Sequence, residues 1–486
     1  MKTIRSDSSL SLLDGLICTY LALPLLLFCA WFKWPFAIAG AVLLTFGFHK
    51  ALGGLRWRNF ELGAKWVLAI GIVALAWTAL AGIGHFFYAN ADWLTRDAVL
   101  RDLTETAWPP QYESNGSAPL ILRAPVAFYL PAAAAGSVLG LHAADLLLYL
   151  WAAAGFALFL CAATTLFSTS RQRIVCWGLL IAFGGLDLVG FTMFHGALPE
   201  LGQHIEWWAE FAQYSSNSTL MFWAPNHALP AWLGMVLVLR HWRRPELACI
   251  APLLAAAIPL WSPLSAVGLA PFFIAGLNWR RDLPQLLSIR SGWPFIVAAC
   301  IVARYITMDT QSVAHGWSIR LFDSAMEFWG LYAVFCLLEF GLLAWALIRM
   351  HAPDIRLGLA LAILLALPFY HFGPGNDLDM RASIPALTVL AFAAVRPLTD
   401  GERRSGWRLA LMVILVLGGL GAAQEPARAL LRPRWVLTGK TLSEIACPDP
   451  RDRGCSLPTN YVGRLDQAGL AMLMREPSSV QTGAAP

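Results

Sequence analysis

The sequence predicts an all-α, polytopic transmembrane helical bundle of about thirteen spans. Three observations predict it. Apolar runs near the ~20 residues a membrane-crossing helix needs recur along the whole chain. The composition is 58% hydrophobic and only 13% charged, against the ~25% charge of an ordinary soluble domain, and the mean hydropathy is +0.59. The loops between the apolar runs alternate between two kinds. One kind is basic: Lys50, Arg56, Arg58 and Lys65; Arg171 and Arg173; Arg240, Arg243 and Arg244; Arg280 and Arg281; Arg349 and Arg356; Arg396, Arg403, Arg404 and Arg408. The other kind gathers acids, histidines, aromatics and Asn at 92–112, 195–227, 309–323 and 371–381.

The first span is 11–31. Lys2 and Arg5 precede it, and no small-residue cleavage site follows before Lys33, so it reads as an uncleaved helix with its N-terminus inside. Further spans are expected at 35–49, 66–88, 143–167, 174–195, 224–240, 246–261, 263–278, 292–308, 325–348, 357–370, 383–395 and 409–423. The pair 246–261 and 263–278 hinges at Trp261-Ser262-Pro263, where proline breaks the helical ladder. Residues 118–141 are apolar too, but Pro119, Pro125, Pro131 and Arg123 make them a broken element that lies at the interface or re-enters. With that segment not spanning, the loops placed inside hold more than half of the 35 Lys and Arg. This is the positive-inside pattern of a chain with a cytoplasmic N-terminus and a periplasmic C-terminus. A compact, Ala- and Arg-rich chain suggests a bacterial inner membrane.

The net charge of +5 is no nucleic-acid signal, because the basic residues cluster beside spans. The 22 Trp suit interfacial belts, with some free to line a ring-stacking cavity. Cys18, Cys29, Cys161, Cys176, Cys249, Cys300 and Cys336 lie in apolar runs and read as packing residues. Cys447 and Cys455 flank a polar stretch of the external tail, 424–486, where a disulfide is expected. A short helix is expected in that tail near 461–474. No Walker, Rossmann, HExxH or CxxC motif and no internal repeat is present.

The first outer loop places Asp92 directly at the end of a span, where a carboxylate can point into a cavity. The segment after it reads as an amphipathic helix on the membrane surface, with Asp97 and Arg101 spaced as an i,i+4 pair and Arg96 on a stripe with Leu100 and Leu103. The second outer loop has His195, Glu200, His204, Glu206 and Glu210 and no Lys or Arg. Glu200/His204 and Glu206/Glu210 share helix faces if the loop is helical. Such carboxylates and imidazoles suit a divalent cation, Mg or Mn, or acid–base work, or form a merely solvated acidic loop. Asn226 and His227 stand at the mouth of the next span as candidate substrate contacts.

The loop Tyr370–Arg381 packs Asn376, Asp377, Asp379 and Arg381 behind a Gly-Pro-Gly turn. Arg381 can grip a phosphate bidentately, or pair with Asp377 while the acids cap the next helix. Arg304 and Arg320, near outer span ends, are further candidates for a lipid phosphate, with snorkelling as the alternative. Asp187 is deep in a span and suits a helix pair or a cavity floor. Glu339 reads as structural.

An acid just after an early outward span, a surface helix behind it and polar outer loops resemble the GT-C superfamily of integral-membrane glycosyltransferases. The resemblance is architectural and covers residues 66–396. It implies a polyprenyl-phosphate-linked sugar donor, with Asp92 in the place of the essential first-loop acid and the outer arginines Arg304, Arg320 or Arg381 on the lipid phosphate. Arg96, Asp97, His195, Glu200, His204, Asn226, His227, Asn376, Asp377 and Asp379 are the matching substrate-binding candidates. The expected function is therefore sugar transfer to a glycan, lipid or protein acceptor at the periplasmic face. A polysaccharide polymerase or ligase, and a transporter or flippase for lipid-linked saccharides, are the alternatives.

Overall fold

Apolar runs leave the backbone one way to satisfy its hydrogen bonds in lipid, which is within a helix. In a computed structural model the described residues are 10–53, 60, 62–113, 119–123, 125–350, 354–400, 405–449, 455–464, 470–476 and 478–480. Lys2, Arg5, Arg56, Arg58, Arg403 and Arg404 lie outside them. Helices dominate, and six stretches are long and apolar enough to cross a membrane: Leu12–Trp31, Trp34–Leu52, Leu141–Thr165, Ser170–His195, Ala325–Met350 and Gly406–Leu431. Shorter apolar helices fall at Ala64–Leu80, Pro245–Trp261, Pro263–Gly276, Trp293–Ile306, Ile355–Phe369 and Ile384–Thr399, with a further helix at Pro225–Arg240. The third apolar helix stops at Leu80 and not at 88. Glycines at 82 and 84 with positive φ then turn the chain into a loop.

The helix Trp34–Leu52 turns Phe36, Ile38, Val42 and Phe46 outward, a face suited to lipid. The first helix starts in a capping box, Ser11 Oγ accepting from the Asp14 N–H at 3.2 Å. Asp14 also takes Arg240 Nε at 2.8 Å, tying the start of one helix to the end of another. Inside the bundle Tyr20 stacks on Trp151 with ring centroids 4.1 Å apart, and on Trp261 at 5.3 Å. Trp31, Trp93, Trp232 and Trp261 are fully buried. These four tryptophans fill the core and are not belt residues.

Residues 120–139 break as their prolines require: a strand, a 3-10 turn at Val126–Phe128 and a helix of ten residues, Leu130–Leu139. That helix is about 15 Å long, half the ~30 Å of a hydrocarbon core.

The C-terminal tail is stitched onto the first polar loop. Strands β1 (Pro110–Tyr112) and β2 (Leu120–Leu122) form an antiparallel pair. Among the later strands, β3 is His315–Trp317, β4 Tyr370–Phe372, β5 Val462–Arg464 and β6 Ser478–Ser479. β5 adds antiparallel to β2 and β6 parallel to β1, giving the order β5-β2-β1-β6. β3 and β4 pair antiparallel, joining the third and fourth polar loops. The tail segment 462–464 is thus a strand where a helix was expected, because β2 offers it a free edge. Cys447 and Cys455 are disulfide-bonded, with Cα atoms 5.7 Å apart. Tail and first loop therefore share one end of the bundle.

Candidate functional site

Asp92 opens the helix Asp92–Glu105. Its position is set by Asn90, whose Oδ1 accepts the Asp92 N–H at 3.0 Å and whose Nδ2 donates to the Phe222 carbonyl at 2.7 Å. Trp93 Nε1 donates to the same carbonyl at 3.2 Å. The Asp92 side chain is 50% exposed and lies 3.6 Å from the guanidinium of Arg96, one turn on.

Arg96 is buried. It donates to Asn226 Oδ1 at 2.7 Å and to the Trp223 carbonyl, and it lies beside the Tyr129 hydroxyl. Its Nε has no hydrogen-bond partner among the described residues. Asn226 passes the chain on: its Nδ2 lies 3.1 Å from His227 Nε2, and His227 Nδ1 lies 2.8 Å from Ser262 Oγ. Ser262 donates to Ser265 at 2.6 Å, and Ser265 to the His227 carbonyl at 3.1 Å. With the Ser262 hydrogen committed, His227 must donate through Nδ1 and accept at Nε2, so the network fixes a neutral imidazole. Asn226 and His227 are thus buried supports of Arg96 and not free contacts at the mouth of a span. The Ser262 hinge is part of the same network.

Opposite stands Asp377–Ala382, a short helix. Arg381 pairs with Asp377, which acts electrostatically on Asp92. Gly373 (φ +84°) makes this possible, since a Cβ there would overlap the Asp377 carboxylate. Burial holds the Asp377 carboxyl above the ordinary carboxylate range, against the pull of Arg381. Tyr461 from the tail completes the cluster, interacting with Arg96, Asp92, Arg381 and Asp377 together. Half-exposed Asp92, two guanidiniums, one buried carboxylate and a tyrosine hydroxyl therefore converge from the first loop, the fourth loop and the tail.

The remaining candidates lie elsewhere. Asp97 is 1% exposed and bonds His85 Nε2 at 3.0 Å, while His85 Nδ1 meets Asp145 at 3.2 Å. Against burial, which lowers it, the bonds to Asp145 and Asp97 push the His85 imidazole up to about 9. Burial pushes Asp97 up to about 6, with His85 opposing. This trio locks the Asp92 helix to the span Leu141–Thr165, so Asp97 is not open to a substrate.

The Asp92–Glu105 helix is not a membrane-surface helix either. Trp93 and residues 96–104 are all buried, one side against Leu130–Leu139 and the other beneath the tail helix Leu442–Ala446. Asp102 takes the Leu442 N–H at 3.0 Å and the Tyr112 hydroxyl at 2.9 Å. Arg101 pairs with Glu105 at 2.8 Å rather than with Asp97.

The loop 196–216 is built of turns, so Glu200/His204 and Glu206/Glu210 share no helix face. His195 and Glu200 are exposed. His204 meets Glu425 at 3.1 Å. Asn376 and Asp379 are buried organisers: Asn376 Nδ2 donates to Asp379 at 2.9 Å and to the Phe211 carbonyl at 3.2 Å. Arg304 and Arg320 sit on the exposed surface. Asn217 of the second polar loop is buried. Among the described residues no three His, Cys, Asp or Glu side chains are arranged to hold a metal ion such as Mg or Mn.

Tyr461, Tyr129 and His85 are the members that sequence reasoning passed over. His85 carried a faint signal, standing after two glycines at a span end. Tyr461 carried none, because only the pairing of β5 with β2 brings the tail to Asp92.

No family model, no curated protein and no solved structure matches this chain.

Proposed function

We propose that this protein is an integral-membrane glycosyltransferase of the GT-C kind, moving a sugar from a polyprenyl-phosphate carrier to an acceptor hydroxyl with inversion. The observation that carries the reading is the half-exposed Asp92 carboxylate beside Arg96, with Arg381 and Asp377 facing it. A base for the acceptor and cations for a leaving phosphate are the two things this reaction needs.

In the proposed step the acceptor oxygen attacks the anomeric carbon on the face opposite the carrier. The bond between that carbon and the phosphate oxygen breaks, and its electron pair leaves on the phosphate. The hydroxyl proton passes to Asp92. Arg381 holds the phosphate charge, a role the resemblance had also offered to Arg304 and Arg320, and the buried Arg96 adds its positive field from beside Asp92. Tyr461 closes the site from the tail. No step is routed through a metal.

The topology belongs to the same proposal: about thirteen spans, the N-terminus cytoplasmic, and the Asp92 end with its tail on the periplasmic side of a bacterial inner membrane. The Cys447–Cys455 disulfide supports an oxidising compartment at that end.

The test is Asp92→Asn in membranes supplied with a panel of undecaprenyl-phosphate sugars. Transfer is expected in the parent and absent in the variant, with an unchanged thermal unfolding midpoint. Retained transfer by a folded Asp92→Asn protein would sink the assignment of the base.

A further inference from the structure

A second group of acids lies inside the bundle, and the glycosyl-transfer reading does not use it. The apolar stretch Ser170–His195 is broken: one helix ends at Ala182, residues 183–186 are not helical, and the next helix begins at Asp187. The stretch Ala325–Met350 is irregular too, with a π turn at Leu337–Gly341 that has Glu339 at its middle. Broken helices at membrane depth persist only against protein or a wet cavity, and π turns concentrate at functional sites. The two irregularities face each other. The Leu186 N–H donates to the Leu338 carbonyl at 3.1 Å. Gly185 lies so close to Glu339 that a Cβ there would overlap the carboxylate.

The carboxyl groups of Asp187 and Glu339 lie against one another. Asp187 is 0% exposed, and among the described residues neither of its oxygens has a hydrogen-bond donor. Glu339 takes the Trp208 indole N–H at 3.0 Å on Oε1, while Oε2 has no donor among the described residues. Two acceptors thus meet with no donor between them. Among the described residues no Lys or Arg pairs with either acid. The charged and titratable groups around them include Glu206, His204, Asp379, Tyr214 and the Cys336 thiol. His204 is paired with Glu425, beside Arg428, and Glu206 is satisfied as a carboxylate by Thr219 at 2.6 Å and by Ser216 and Gln213 at 3.2 Å each. Two like charges in contact cannot both persist in a dry interior. The missing element between Asp187 and Glu339 is positive. A metal ion asks for more ligands than these two acids supply, and no group of three is arranged for one among the described residues.

We propose that Asp187 and Glu339 form an intramembrane proton-binding site, a carboxylic acid and a carboxylate sharing one proton. The site lies at the start of the Asp187–His195 helix, eight residues or about 12 Å from its far end. Glu206 and Gln213 link its surroundings to the fourth loop, Gln213 donating to Glu206 at 3.2 Å and, through its backbone N–H, to Asp379 at 3.3 Å.

The experiment is infrared difference spectroscopy of the full chain in lipid nanodiscs at neutral pH, in water and in D2O. A protonated-carboxyl C=O band that shifts in D2O is expected. Asp187→Asn and Glu339→Gln should each remove it, while Asp379→Asn keeps it. Replacing potassium by sodium at constant pH should leave it unchanged. Three results overturn the proposal: no such band in the parent at neutral pH, a band that survives both variants, or a band that sodium removes, which would make the site a monovalent-cation site. The parent spectrum and its sodium arm need no variant, so a variant that fails to fold does not spare the idea.

Discussion

Arg96 donates to Asn226 at 2.7 Å across the gap between the first polar loop and the helix Pro225–Arg240. One buried guanidinium thereby couples the helix that presents Asp92 to the His227–Ser262 network behind it. Arg96→Ala would leave Asn226 Oδ1 and the Trp223 carbonyl without their donor in a dry setting, at a cost of about 3 kcal/mol. Asn226→Ala should cost less, and the double variant should show a coupling energy of about 1 kcal/mol or more. Unfolding in detergent micelles checks this; strict additivity would mean that the contact carries nothing.

His85 predicts a pH dependence with a definite sign. Its folded pKa is raised from 6.5 to about 9. The stabilisation is therefore complete below about 6.5 and is lost as pH rises through about 9. Asp97, pushed up to about 6, still adds a small slope near pH 6.5 and is ionised by about pH 8, so the loss through about 9 belongs to His85. The alkaline loss is on the order of 3 kcal/mol at most. Thermal midpoints between pH 6.5 and 10 should fall in the parent and stay flatter in His85→Gln; parallel curves would remove His85 from this role.

Gly185→Ala is expected to be strongly destabilising, because the added methyl enters the space of the Glu339 carboxylate. Overpacking of this kind costs about 1–3 kcal/mol. Glu339→Ala in the same chain should recover part of the loss by vacating that space. Thermal unfolding of the single and double variants checks it, and the absence of any recovery would place the clash elsewhere.

Arg381→Ala should weaken undecaprenyl phosphate binding, read by native mass spectrometry, by tenfold or more, as expected when a charge-assisted pair worth about 1.5–3 kcal/mol is lost. Arg304→Ala and Arg320→Ala, at the exposed surface, should change it less than twofold. The reverse ranking would return the phosphate role to those two arginines.

Much of the scaffold could be read from the chain alone. Helix is the only way an isolated apolar run satisfies its backbone in lipid, so the helical segments followed from composition and spacing. The proline-broken stretch at 118–141 and the Ser262 hinge followed from residues that cannot continue a helical ladder. The convergence of Asp92, Arg96, Asp377 and Arg381 was half legible, because each stands in a polar loop rich in hydrogen-bonding groups. What those loops do to one another was not. Asp97, Asn226, Asn376 and Asp379 read as exposed candidates, yet each is spent on a buried partner: His85 for Asp97, and Arg96, Phe211 and Gln213 from distant segments for the other three.

The chain by itself determined a helical, lipid-suited bundle and the loops that carry polar chemistry, because hydrophobic periodicity and charge are local properties. Only the tertiary structure decided that Tyr461 reaches the Asp92 cluster, that the Asp92 helix is buried, and that Asp187 meets Glu339. The first and last of those pairings join residues more than a hundred positions apart. Strand edges, glycine clearances and unpaired acceptors select them, and none of these exists until the chain has folded.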